Sequence, residues 1–211
     1  MNRAYIAILA LSIFSCERGF TPRERGYFRI DLPGHAYRPF EEPGFPYTFE
    51  YPVYAGIQRD SSYLDENPDN PYWINVDFPQ FNGRIYLSYK SIGGVSVYKV
   101  NRGGRGYTDS VVRNTFEGLR DEAYRMTFKH TLKASGISDS VFQTSGGVSG
   151  VFFRVEGDAA TARQFYATDS NRHFLRGALY FDTTPNADSL SVVNDHLERD
   201  LLHLIETLRW R

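Results

Sequence analysis

Apolar and polar residues alternate along much of the first half of the chain. Tyr27-Phe28-Arg29-Ile30-Asp31 alternates ahead of Pro33, and Tyr47-Thr48-Phe49-Glu50-Tyr51 does so ahead of Pro52. A period of two sends successive side chains to opposite faces, so both stretches predict half-buried strands. Trp73-Ile74-Asn75-Val76-Asp77-Phe78 gathers Ile74, Val76 and Phe78 on one face, and residues 84–90 return Ile85, Leu87 and Tyr89 to one face. Between them, Pro79-Gln80-Phe81-Asn82-Gly83 contains the Asn-Gly pair that accepts positive φ, which predicts a hairpin.

The period then changes. Val112, Phe116, Leu119, Ala123 and Met126 recur at three or four residues, predicting an amphipathic helix over residues 109–130 with Thr108 or Asp109 as its cap. Strand alternation resumes at Val151, Phe153 and Val155, in residues 163–168, and in residues 173–181, where Leu175, Leu179 and Phe181 share a face. Gly157-Asp158 and Asp169-Ser170-Asn171 supply turns. A last helix is expected over residues 188–210. Its stripe is Leu190, Val193, Leu197, Leu201, Leu204 and Leu208, with Pro185 as a start signal. Short connections between the later strands imply antiparallel pairing. The expected fold is α+β: a single domain over residues 27–211, with a twisted antiparallel sheet and one or two packed helices.

The N-terminus follows a different rule. Arg3 precedes the almost wholly apolar, uncharged run 4–14, too short for the roughly 20 residues that cross a bilayer but the length of a signal-peptide core. Ile13-Phe14-Ser15-Cys16 follows and resembles a bacterial lipobox, although Phe14 is bulkier than usual. Cys16 is the single cysteine, so no internal disulfide can form. Residues 1–15 are expected to be a cleaved lipoprotein signal peptide, Cys16 the acylated residue, and 16–26 the lipidated Cys and a linker. Two or more acyl chains hold a protein stably on a membrane, whereas one myristoyl-length chain does so only reversibly.

Charge narrows the function. Lys and Arg number 24 against 25 Asp and Glu, a net charge of −1, which does not suggest a nucleic-acid binder. No G-x-S-x-G elbow, H-E-x-x-H motif or second cysteine marks a hydrolase.

The segments FRIDLPGHAY (28–37), YPVYAGI (51–57), WINVDFPQFNGRIYLSYK (73–90), FKHTLKA (128–134), HFLRGALYFDTTPNADSL (173–190) and HLIETLRWR (203–211) resemble the gliding-motility lipoprotein family GldD of the Bacteroidetes. The resemblance runs in order through essentially the whole chain after Cys16; residues 91–108 carry no matching pattern. It implies a lipid-anchored envelope protein of the gliding and type IX secretion machinery, with no catalytic site to carry over. The expected action is contact with other proteins of that machinery. A periplasmic ligand-binding or hydrolytic domain beside it is the alternative. The expected location is the outer membrane with the domain in the periplasm; the periplasmic leaflet of the inner membrane is the other option.

Candidate sites are few. The Gly- and Arg-rich run 101–106 precedes the expected helix, where backbone amides can hold phosphate, yet it lacks the Lys-Ser/Thr pair of a phosphate loop; a mobile loop is the simpler expectation. His196, Asp200 and His203 share a helix flank, but residues seven apart on a helix are separated by over about 10 Å, too far for one ion. A solvated face, no metal and no cofactor are therefore expected. Lys129, His130, His173 and Arg176 are polar groups among apolar neighbours, with Asp169 and Asp182 as possible partners, and Trp73, Phe81 and Tyr86 are aromatics near the hairpin. These seven, Trp73, Phe81, Tyr86, Lys129, His130, His173 and Arg176, form the candidate interaction surface.

Overall fold

The alternating stretches pair as strands in the computed structural model, which describes residues 30–59, 70–101, 103 and 106–211. The first strands are β1 (Tyr37–Phe40), β2 (Tyr47–Pro52) and β3 (Gly56–Arg59). The hairpin follows as β4 (Ile74–Phe78) and β5 (Gly83–Ser91), then β6 (Val95–Asn101) and β7 (Tyr107–Arg113). Helix α1 (Phe116–Phe128) precedes β8 (Ala134–Gln143), β9 (Ser149–Gly157), β10 (Thr161–Thr168) and β11 (His173–Phe181). Helix α2 (Ala187–Thr207) and the short β12 (Arg209–Trp210) end the chain.

Seven strands form one sheet in the order β3-β4-β5-β11-β10-β9-β8, antiparallel throughout. A three-stranded sheet, β1-β2-β12, and a two-stranded ribbon, β6-β7, complete the fold. The large sheet is buried on both faces. On one, Ile74, Val76, Phe78, Ile85, Leu87, Phe165, Leu175 and Leu179 meet the small sheet and the α2 residues Val193, Leu197, Leu201, Leu204 and Ile205. On the other, Val151, Phe153, Tyr166 and Phe174 meet Leu119 and Ala123 of α1. Within this double layer Phe165 lies over Gly177, its cross-strand neighbour, where a Cβ would stand 2.1 Å from the ring. Only glycine leaves that aromatic room. Residues 31–211 constitute one compact unit.

The hairpin turns as its Asn-Gly signal requires, with Asn82 at φ 48° after a single 3-10 turn, Pro79–Phe81. Across it Arg84 pairs with Asp77 on the α1 face.

Three expectations are corrected. The first helix begins at Phe116, not near residue 109. Thr115 is its cap, the hydroxyl accepting from the Gly118 amide at 3.1 Å. Residues 107–113 instead form β7, because the β-branched pair Val111-Val112 lies opposite Val97 and Ser96 and the segment has a partner strand. Val112 is thus on the ribbon and outside the helix stripe.

The last helix stops at Thr207. Leu208 turns extended, and Arg209 and Trp210 pair with Thr48 and Tyr47, an edge that local periodicity does not reveal. Ile30 and Asp31 are not in a strand, while residues 27–29 lie outside the described residues, as do the signal peptide, Cys16 and the linker. Among the described residues no helix is long and apolar enough to cross a membrane.

Candidate functional site

A buried polar cluster lies where the segment entering β1 crosses α2. Ala36 accepts from the Val53 amide at 2.9 Å, which brings His35 and Tyr37 beside Tyr54 in the turn after β2. His196 and Asp200, one helical turn apart, project from α2 into this junction. His35 Nδ1 stands 2.8 Å from Asp200 Oδ1, and the Tyr37 hydroxyl donates to the same oxygen at 3.0 Å. The Tyr54 hydroxyl donates to Asp200 Oδ2 and lies 3.0 Å from His196 Nε2. With its own proton given to the carboxylate, Tyr54 accepts from the imidazole. The His35 and His196 rings stack with centroids 4.4 Å apart.

Burial sets the electrostatics here. It pushes both Tyr37 and Tyr54 up, with the Asp200 carboxylate adding to the shift, so both phenols keep their protons. Burial, reinforced by neighbouring His35, holds the His196 imidazole below the ordinary histidine range.

The expectation of a solvated helix face is therefore overturned. His196 is 7% exposed and Asp200 1%, because the His35 segment and Tyr54 cover that flank of α2. His203 is separate: it bonds Glu50 at 2.7 Å and stacks on Tyr37 at 3.6 Å. The H-x-x-x-D spacing of His196 and Asp200 is visible in the sequence, whereas His35, Tyr37 and Tyr54 join them only through the fold. A ring nitrogen of His35, one of His196 and a carboxylate oxygen of Asp200 lie within 4.8 Å of one another.

The fold does not bring the seven residues of the candidate surface together. His173 shares the α2 face with Tyr89, whose hydroxyl is 2.8 Å from its Nδ1, and stacks on Trp210. His130 sits in the 3-10 turn after α1, on the opposite face, where burial and then the Arg176 charge hold its imidazole low. Arg176 donates to Gln164 at 2.6 Å. The two histidines thus cannot act as one acid–base pair. Asp169 caps its own turn, accepting from the amides of Asn171, Arg172 and His173. Phe81 packs on the α2 side beside Tyr54 and His196, Tyr86 meets Tyr180 on the other face, and Lys129 is exposed. Trp73 is half-buried, its indole N–H donating to the Tyr89 carbonyl at 2.8 Å.

Trp73 also borders a cleft of about 430 Å³ between the sheet and the β6-β7 ribbon, lined by Tyr72, Tyr89, Lys90, Val97, Tyr98 and Asn114 among others. Lys90 fixes the ribbon to the body. Its ammonium lies 3.0 Å from the Tyr98 hydroxyl and 3.1 Å from Glu122 on α1. Buried Asn114 ties down the ribbon's base through Ser96, Ser91, Gly93 and Gly94. The ribbon itself projects: Val95 is 65% exposed, Tyr107 71% and Val111 66%. The Gly/Arg-rich run stands between β6 and β7 and is followed by a strand, not by the expected helix; Arg102, Gly104 and Arg105 lie outside the described residues.

No protein of curated function matches the chain. Among solved structures it is similar to cyanobacterial PsbP (CyanoP) from Synechocystis sp. PCC 6803, at 7% identity and a TM-score of 0.44, covering 85% of this chain and 95% of that one. The profile of one family, described as gliding motility lipoprotein GldD, spans residues 17–210, nearly everything that follows Cys16, and the chain is a member of that family.

Proposed function

We propose that this lipoprotein serves gliding motility and the associated type IX secretion machinery by protein–protein contact, held on the periplasmic side of the outer membrane by acyl chains on Cys16. Family membership supplies the link to gliding motility and to a lipid-anchored envelope protein. The observation that carries the contact reading is the β6-β7 ribbon. It is bolted to the body at Lys90 and Asn114 yet presents Val95, Tyr107 and Val111 to solvent, apolar side chains that a partner could cover. Lys99, Arg102, Arg105 and Arg113 against the single Asp109 make residues 95–113 basic, which suits an acidic partner surface. Tyr86, Lys129, His130 and Arg176, on the α1 face of the sheet, with Trp73 at the cleft, extend this contact surface; Phe81 and His173 lie on the α2 side and act structurally.

The test is a photo-crosslinking residue at position 111 in living cells, together with Val95→Lys/Val111→Lys. Crosslinks to envelope proteins of the gliding apparatus are expected, with loss of colony spreading and weakened secretion at matched abundance. Full spreading by the double variant overturns the docking surface. A folded His130→Gln/His173→Gln protein as immobile as the gene deletion overturns contact in favour of chemistry, because glutamine keeps polarity but not acid–base capacity.

A further inference from the structure

Asp200 is 1% exposed, and a buried carboxylate is costly unless a cation or a metal balances it. Among the described residues, the one basic group within ion-pair range of it is His35, which carries charge only when protonated. The His35 ring stacks on the His196 ring with centroids 4.4 Å apart, so two imidazoles stand beside this carboxylate. A dication held there would balance the carboxylate and take both imidazoles in their neutral form.

The geometry has the elements of a metal centre. His196 and Asp200 stand at i and i+4, on one flank of α2. His35 supplies a third donor from a remote segment, and the three donor atoms fall within 4.8 Å. Two imidazoles and one carboxylate suit a borderline-soft ion such as Zn²⁺. The Tyr37 and Tyr54 hydroxyls bond the two oxygens of Asp200 and orient it, the outer-shell role that metal-ligating carboxylates require.

We infer that His35, His196 and Asp200 form a binding site for one divalent transition-metal ion of the zinc type, which fastens the segment entering β1 to α2. His35 Nδ1 and His196 Nε2 face the site, so on binding each imidazole carries its proton on the other ring nitrogen. Ligands about 2.1 Å from a tetrahedral ion lie about 3.4 Å apart, so the donors close by roughly an ångström. His35, the exposed member, supplies that movement. The fourth position is open to water.

The probes are Zn²⁺, by calorimetry and by metal content after dialysis, and Co²⁺, by the visible absorption of a tetrahedral ion, with the full-length protein in detergent micelles. One equivalent is expected to bind and to raise the thermal midpoint. His35→Ala and His196→Ala should lower affinity at least 100-fold, Tyr54→Phe about 10-fold, and His130→Gln, in the 3-10 turn after α1, should leave it unchanged. Asp200→Asn is read only if its circular dichroism is native; His35→Ala, at an exposed position, carries the test otherwise. Absence of binding at micromolar metal overturns the inference, and so does unchanged affinity in a folded His35→Ala protein.

Discussion

Trp210 lies flat against His173, ring planes 7° apart and centroids 5.1 Å apart, joining the C-terminal strand β12 to β11 of the large sheet. On its other side the imidazole meets the Tyr89 hydroxyl, which burial, with the Asp169 charge, pushes up to about 12.

This setting makes His173 a source of acid sensitivity. Burial lowers its pKa, the Asp169 carboxylate opposes the shift, and Arg172 adds to it. The unfolded chain therefore takes up the proton more readily. The stabilising contribution is complete above the unfolded value of about 6.5 and is lost as pH falls through that value towards the lower folded one. In urea titrations at pH 8 and pH 5, His173→Gln should lose less stability on acidification than the unaltered protein. Equal losses would contradict the assignment.

Lys90 holds the ribbon. It and Glu122 each expose 12% of their side chains. Burial lowers the ammonium's pKa, but Glu122 and Tyr98 more than offset this and leave it raised, so Lys90 is charged at neutral pH. Lys90→Met removes the cation and strands the carboxylate, at a cost of about 3–5 kcal/mol. Hydrogen exchange should quicken in β6 and β7 before it does in β9–β11. Unchanged ribbon protection would show that Asn114 alone suffices.

Glu198 of α2 is gripped from β9 and β10. Arg154 donates to its Oε1 at 2.6 Å and Arg163 to its Oε2. Burial pushes the carboxyl up, but the Arg154 hydrogen bond and Arg163 charge outweigh it and hold it below the ordinary glutamate range. The stability this confers is present above the unfolded value and is lost as pH falls through the depressed folded one. Glu198→Gln should cost about 1–3 kcal/mol, less than a fully buried pair because Arg154 is one-third exposed. The cost should shrink below pH 4, and a pH-independent cost would count against the ionic reading.

Cys16→Ala should abolish acylation, since no second thiol is available. Metabolic labelling with a fatty-acid analogue checks this. Label retained by the variant would mean that acylation lies elsewhere.

Sequence signals predict most where pairing is local. The β4-β5 hairpin follows from two alternating runs and Asn82-Gly83, all within one short stretch. The stripe Val193, Leu197, Leu201, Leu204 announces α2 because a helix's period depends on its own chain alone. Periodicity places the start of α1 too early because Val112 fits a helical stripe, and only the partner strand β6 tells a ribbon from a helix at that position.

Sequence alone determined the class of this protein: alternation and helical stripes for an antiparallel α+β fold, and a chain-long resemblance for its lipoprotein family. Tertiary structure decided which polar groups meet. Spacing along α2 separates His196 from His203 by two turns, and that distance by itself implies a solvated flank. His35, more than 160 residues away from Asp200 in the chain, closes over the flank and turns it into a buried cluster. Periodicity records which side of an element faces the core, because that depends on the repeat of one backbone. It does not record which remote side chains share that core, because that depends on how separate elements cross.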